Sequence, residues 1–445
     1  MRYDASADWT RFGYDASRSS DDPNATGITA ANVASLLEQQ VQLPGTVDSA
    51  AVYLKGVTVE GSPHDTLFVT TSYGITLAID ARTGSILWQY TPPSYARLAD
   101  GPHITTAAPV ADPSREWIYA PSPDGKIQKL SVADGSVAWR VAITKLPVRE
   151  KISSSLNYAN GNVIATTAGF SDGAPYQGHV AMVSRSGRLV HVWNALCSNH
   201  TRLLVPSSCP ASDAGIWGRG GAVVDPDNGD LLVATGNAPW DGDTDWGDAV
   251  VELSPEADLI GNYTPTNTAK LYNGDLDLGS ASPVYLTPGL IAQGGKDTKI
   301  RLLSLAHLQG TTPHKGGELQ IVSTPSKTAL RTEPAVWRGN RTWLIAADGG
   351  ATEAWVLHKG RLVSKWSQPN AGTSPMIAGG LLYVYDPTGG GLRVYMPASG
   401  TLIATLPAGS GHWNSPIATD GIVALPEGNA NDHTTSGVLD IWRLP

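Results

Sequence analysis

The sequence predicts an all-β chain: an eight-bladed β-propeller of four-stranded blades, closed by an N-terminal strand that pairs with the C-terminal blade. Three observations carry that prediction. A short cluster of small residues leading into an apolar strand recurs eight times. An apolar hairpin follows most copies. The last copy lacks one strand, and a matching strand stands unclaimed near the start. Composition agrees. Among 445 residues there are 48 Gly and 31 Pro, and only 16% are charged, so long helical runs are excluded while turns are abundant.

The first element of each repeat reads, in order, VDSAAVY (47–53), ITTAAPV (104–110), ISSSLNY (152–158), GRGGAVV (218–224), GSASPVY (279–285), RTEPAVW (331–337), GTSPMIA (372–378) and WNSPIA (413–418). Internal repetition at this spacing, about 56 residues per copy, is the signature of a ring of blades rather than of separate domains. The second element is a strand, a tight Asp/Gly turn and a second strand, as in ITLAIDARTGSILWQY (75–90), IQKLSVADGSVAWRV (127–141) and VAMVSRSGRLVHVWN (180–194). The eighth copy ends at GVLDIWRLP (437–445), one strand short, and LLEQQVQLP (36–44) supplies it. Closure of this kind removes the free sheet edges that invite aggregation. The expected organisation is therefore one domain over 1–445, with residues 1–35 as an extension packing on the ring and 36–44 as the closing strand.

Fourteen Trp against three Phe is an unusual ratio. Trp88, Trp139, Trp193, Trp366 and Trp442 recur in the hairpins, where a large flat side chain fills the wedge between neighbouring sheets. A formal net charge of −9 without a basic run argues against a nucleic-acid partner, and no stretch approaches a membrane span. Cys197 and Cys209 enclose a short polar loop and read either as a disulfide of an oxidising compartment or as two unrelated thiols.

Sites on propellers lie where the inner strands and their loops converge. Departures from the small-residue clusters mark candidates. Lys151 precedes the third cluster, Trp217 and Arg219 flank the fourth, Arg331 and Glu333 sit at the sixth, and His412, Trp413 and Asn414 at the eighth. Mixed charges and flat aromatics at one rim suit a planar anionic ligand. The segment 231–253 is dense in oxygen donors, with Asn237, Asp241, Asp243, Asp245 and Asp248. Such a set reads as a divalent-cation loop or as an acidic surface turn, and a carboxylate beside a bound metal is poised for proton abstraction.

These residues resemble a known family. ATGNAPW with GDT and AVVEL, YTPTN with GDLDLGSASPV (263–284), GGKDTKIRLLSL (294–305), AGIWGRGG (214–221) and DWTRFGYDASRSS (8–20) look like the segments of the pyrroloquinoline quinone (PQQ) dehydrogenases, the quinoprotein eight-bladed propellers, with the polyvinyl-alcohol dehydrogenase branch nearest in look. The resemblance implies PQQ and calcium as cofactors and a small-molecule alcohol or sugar as substrate. It also implies an external electron acceptor, since no Cys-x-x-Cys-His haem attachment site occurs, and a periplasmic or extracellular location. Carried over, Asn237 and Asp243 are calcium ligands, Asp243 is the catalytic base, Trp217 is the stacking floor and Lys296 hydrogen-bonds the quinone; Asp172 falls near the family's third-blade ligand and is assigned to the metal, and the rim residues Arg219, Trp413 and Asn414 are assigned to the cofactor site. Two other readings stand beside it. One is a non-catalytic propeller that binds protein partners on a face as an assembly scaffold, and the other a carbohydrate-binding or lyase-type propeller using His412 and Trp413.

Overall fold

The computed structural model describes residues 7–445. Eight antiparallel sheets follow one another in the chain, and each begins at one of the eight small-residue clusters. Blade 1 is built from Val52–Val59, Ser62–Thr70, Thr76–Asp80 and Ile86–Tyr90 in that spatial order. Blades 2 to 7 lie at 110–142, 150–194, 223–263, 284–323, 335–368 and 376–406. The eighth sheet takes three strands from 417–443 and a fourth, Leu37–Leu43, from the other end of the chain. That fourth strand pairs antiparallel with Gly437–Arg443, from Leu37 opposite Arg443 to Leu43 opposite Gly437. The ring is closed as the unclaimed strand predicted. Among the described residues no helix is long and apolar enough to cross a membrane.

The second and third strands of most blades read as near-continuous apolar runs because both of their faces pack on neighbouring sheets. Tryptophan fills part of the wedge. Trp88, on the outer strand of blade 1, lies against the hairpin turn of blade 2, and its indole N–H donates to the Val132 carbonyl at 2.9 Å. A Cβ on Gly135 in that turn would come within 2.7 Å of the Trp88 ring, so glycine is required there. The same docking joins Trp139 of blade 2 to Gly187 of blade 3, and Trp366 of blade 6 to Gly400 of blade 7. Trp442 differs. It lies on the third strand of blade 8 and is buried in the core shared with blade 1, while Gln39 and Val41 of the closing strand take the place beside the blade 1 turn at Gly84.

The segment before the closing strand crosses one end of the ring. It makes backbone hydrogen bonds with blades 1, 2, 4, 6, 7 and 8, and Asp21–Asp22 adds a short parallel strand beside Met376–Ala378. Arg18 from this arm is fully buried, and its guanidinium donates to the carbonyls of Gly220, Ser155 and Leu156 at 2.9–3.0 Å. One mouth of the axial channel is thereby stoppered.

Blade 3 carries an irregularity with a consequence. Its inner strand is broken into Glu150–Ile152 and Asn157–Ala159, both paired to Asn162–Gly169. The break falls on Ser153, Ser154 and Ser155, whose hydroxyls offer the backbone alternative partners: Ser153 and Ser154 both donate to the Ile216 carbonyl at 2.9 Å. This local escape from the ladder leaves Lys151 and Ser153 facing the open end of the axis.

Candidate functional site

At the end of the axis opposite the arm lies a cavity of about 170 Å³. Its walls come from two sets of loops. Those entering the inner strands supply Thr106, Lys151, Ser153, Trp217, Arg219, Asp277, Ser280, Arg331 and Trp413. Those joining the second and third strands of blades 3 and 5 supply Asp172 and Lys296. Convergence of the clusters, which are far apart in sequence, is what the ring accomplishes.

The cavity is rich in cations. Arg219 is buried, and its guanidinium reaches across the ring to the carbonyls of Thr106 at 2.6 Å, Asp48 at 3.1 Å and Ser153 at 3.3 Å. These are neutral acceptors, so no carboxylate contact cancels its charge, and its Nε has no partner. Burial, then the neighbouring Arg219 charge, lowers the Lys151 ammonium to about 8. Its Nζ stands 5.7 Å from the centre of the Trp217 ring, a cation–π distance. Trp217 is held flat by two glycines: a Cβ on Gly215 would meet its indole at 2.7 Å, and one on Gly236 at 3.0 Å. Tyr176 packs edge-on against it at 6.0 Å. Trp217 and Trp413 precede the inner strands of blades 4 and 8, half a turn of the ring apart.

The carboxylates of the lining come from blades 3 and 5, while buried Asp48, outside the lining, acts on Arg219 and Lys151. Asp277 precedes the short turn Leu278–Ser280 and its side chain is only 3% exposed. It forms an ion pair with Lys296 and accepts the backbone N–H of Asn237 at 2.7 Å. Burial raises this carboxyl above the usual carboxylate range, against the opposing pull of Lys296. Lys296 also contacts Asp275 at 3.0 Å, and burial is outweighed by these carboxylates, so its ammonium is raised. Asp172 accepts the Tyr176 hydroxyl at 3.2 Å, and Asp172 and Asp277 together add to the burial that raises Asp213. Among the described residues no three His, Cys, Asp or Glu side chains form a metal-binding group by themselves. A cation here would need amide or ligand oxygens as well.

The structure thus brings together Trp217, Arg219, Lys296, Trp413 and Asp172, with Asn237 touching Asp277 just behind the wall. It leaves out two expected members. Asp243 is exposed at the tip of the blade 4 loop and is not part of the lining. That loop folds on Asp241, whose carboxylate accepts the backbone N–H groups of Asp243, Thr244 and Asp245 at 2.8–2.9 Å. It is pinned away from the axis through Asp245, which accepts the Cys197 N–H at 2.9 Å. Cys197 and Cys209 are joined as a disulfide. Asn414 is fully buried as a loop brace, accepting the His412 N–H at 2.8 Å and donating to the Val47 carbonyl at 2.7 Å. His412 is in turn bound to the buried Asp48 at 2.7 Å. Asp277 is the residue that sequence reasoning missed. It stands in the segment GDLDLGSASPV, immediately before the fifth small-residue cluster, and that position was the available signal.

Comparison with known proteins agrees with this geometry at the level of fold. Residues 31–237 match the family described as outer membrane protein assembly factor BamB. A stretch of 229 residues is 25% identical to quinoprotein alcohol dehydrogenase PedH of Pseudomonas putida, covering 44% of this chain and 36% of that protein. The match thus spans about a third of the curated relative. The quinohemoprotein alcohol dehydrogenase of Comamonas testosteroni superposes with a TM-score of 0.72 at 15% identity, covering 100% of this chain and 82% of that one. A europium-containing methanol dehydrogenase gives 0.72 at 14% identity, with 99% and 98% covered. BamB from Moraxella catarrhalis gives 0.57 at 13% identity, with 92% and 99% covered.

Proposed function

We propose that the axial cavity of this chain, an eight-bladed propeller similar in fold to quinoprotein alcohol dehydrogenases, holds PQQ and a divalent cation and that the protein oxidises a small alcohol or sugar. The observation that carries this reading is a pair of cations, Arg219 and Lys151, that no carboxylate contacts, set beside a flat aromatic floor. Fold alone does not fix function, and the charge pattern adds chemistry to the fold. Arg219, Lys151 and Arg331 suit the carboxylates of a planar polyanion, and the unpartnered Nε of buried Arg219 is a donor waiting for an acceptor. Trp217 supplies a stacking face. Asp172, Asn237 and Asp277 supply the oxygen donors that a hard cation prefers, with the shortfall in protein ligands left to the cofactor. When bound, the quinone would supply the two-electron acceptor and the cation a Lewis acid.

The residues of this chain have separate tasks. Asp277 takes the hydroxyl proton of the alcohol. Its burial keeps it basic enough for the task, and Lys296 keeps it ionised and aimed. Asp277 replaces Asp243 in this role because a base must reach the reacting atoms, and Asp243 stands outside the cavity. The disulfide is consistent with a periplasmic or extracellular location. Incubation with PQQ and Ca²⁺ followed by dye-linked oxidation of a short alcohol tests the reading, and activity is expected only with both additions.

The match of 31–237 to the assembly-factor family supports a second reading, a scaffold that binds partners on a face without chemistry. The two readings part on the cavity: only the cofactor reading gives the unpartnered Nε of Arg219 and the neighbouring Lys151 an anionic ligand.

A further inference from the structure

Beneath the cavity floor, the axis holds a carboxyl group for which the proposed reaction has no role. Glu333 precedes the inner strand of blade 6 and is fully buried. Its Oε2 accepts the Gly220 N–H at 3.3 Å and the Ser282 N–H at 3.2 Å, from the clusters of blades 4 and 5. Its Oε1 has no hydrogen-bond partner. The close approach is built in, since a Cβ on Gly220 would stand 3.1 Å from Oε2.

Two guanidinium groups act on this carboxyl electrostatically. Arg219 lines the cavity, and Arg18 comes from the N-terminal arm. Neither donates to it: Arg18 and the two Nη groups of Arg219 bond backbone carbonyls, and the Nε of Arg219 has no partner. Further out lie Arg11 and Asp15 around Arg18, Asp48 and Lys151 around Arg219, and Arg331 on Glu333's own loop. A buried carboxylate with one oxygen bare and no contacting cation is costly, and burial pushes Glu333 up to about 8. A metal ion is a poor partner between two fixed guanidinium groups. A proton has no such difficulty.

We propose that Glu333 is the proton store of the cavity: it exchanges a proton with solvent in step with the negative charge placed above it. An anion arriving over Arg219 makes a second negative charge at Glu333 more costly, so the carboxylate takes one proton from the buffer and becomes the neutral acid. An electron pair placed on a bound acceptor acts in the same sense. The store rests on the cofactor reading for its coupling to PQQ, but its protonation in the ligand-free protein does not.

Infrared spectroscopy separates the two. The carbonyl stretch of a protonated carboxylic acid should appear in the difference spectrum of wild type minus E333Q at pH 7, and weaken as pH rises through about 8. Other buried acids cancel in that difference. Adding PQQ and Ca²⁺ one pH unit above the midpoint should restore the band in wild type and not in E333Q. If E333Q fails to fold, E333D serves, with a displaced band. Absence of any difference band at pH 7 overturns the proposal. So does a band that stays unchanged while PQQ co-elutes with the protein. Failure of PQQ to co-elute overturns the cofactor reading and with it the coupling, while the ligand-free band still decides whether Glu333 stores a proton.

Discussion

Replacing Asp277 by Asn separates the task assigned to this carboxylate from its structural one. The substitution keeps the volume and an acceptor for the Asn237 N–H, so that 2.7 Å hydrogen bond survives in weaker, neutral form. It removes the ion pair with Lys296 inside a wall where Asp277 is 3% exposed. Stripping one partner from a buried pair ordinarily costs about 3–5 kcal/mol, because the other charge is left bare. Here Lys296 keeps Asp275 at 3.0 Å, whose side chain is 67% exposed, so the stranded charge retains a solvated counterion. The cost should fall to about 1–3 kcal/mol, that of a weakened buried hydrogen bond to a charged group. At about 2.1 cal/mol/K of unfolding entropy per residue, a chain of this length should then melt only about 1–3 °C lower. Dehydrogenase activity should fall by about 10²–10⁴-fold, the worth of a positioned general base. The assay is dye-linked alcohol oxidation with PQQ and Ca²⁺, alongside a thermal melt. D243N is the control and should leave both unchanged, because Asp243 is exposed and outside the cavity. Full activity in D277N, or lost activity in D243N, refutes the assignment of the base.

Other outcomes follow from separate parts of the fold. Asp440, buried on blade 8, is pushed up to about 8 by burial and by Glu427 on the adjacent strand, with Glu38 of the closing strand adding to the field. A carboxyl raised on folding favours the folded state only while it stays protonated, so stability should fall as pH rises from the ordinary carboxylate range through about 8. Melting temperatures at pH 6 and pH 9 should differ in that direction in wild type, and the difference should shrink in D440N. The Cys197–Cys209 disulfide closes a loop of 12 residues' separation, and replacing both cysteines by serine should cost about 2–3 kcal/mol in a denaturant titration. Trp442→Ala should cost about 3–5 kcal/mol, since Trp442 is 1% exposed and packs in the core where blade 8 meets blade 1.

The ring itself was legible because its cause is local and repeated. Each small-residue cluster must pass close to its neighbours at the axis, each hairpin needs its Asp/Gly turn, and the missing eighth strand left an unmatched one at 36–44. Much of the site was legible for a related reason: residues too large or too charged for a cluster, such as Lys151, Trp217, Arg219 and Arg331, have nowhere to go but the open end of the axis. Asp243 and Asp277 show where that reasoning stops. Four Asp crowd the loop at 241–248, and density of chemistry in sequence pointed there. Two of these carboxylates are occupied locally, Asp241 capping backbone N–H groups of its own loop and Asp245 one of the disulfide loop, while Asp243 is exposed and Asp248 turns inward to accept the Leu278 N–H at 2.9 Å. Asp277 is set in place by contacts with Lys296, nineteen residues on, and Asn237, forty residues back; its place before the fifth cluster is visible in the sequence, but those distant contacts are not. Asn414 misleads in the same way, since a buried amide that braces its own loop is indistinguishable in sequence from one that faces a ligand.

Retention of PQQ is the most direct measurement of the cavity's role. The protein, incubated with PQQ and Ca²⁺ and passed through gel filtration, should carry about one equivalent of quinone absorbance with the protein peak. Retention should drop sharply in R219M and in W217A, whose side chains form the charge and the floor of the cavity. A wild-type protein that elutes free of quinone, or variants that retain it as well as wild type, would contradict the assignment of this cavity as a cofactor site.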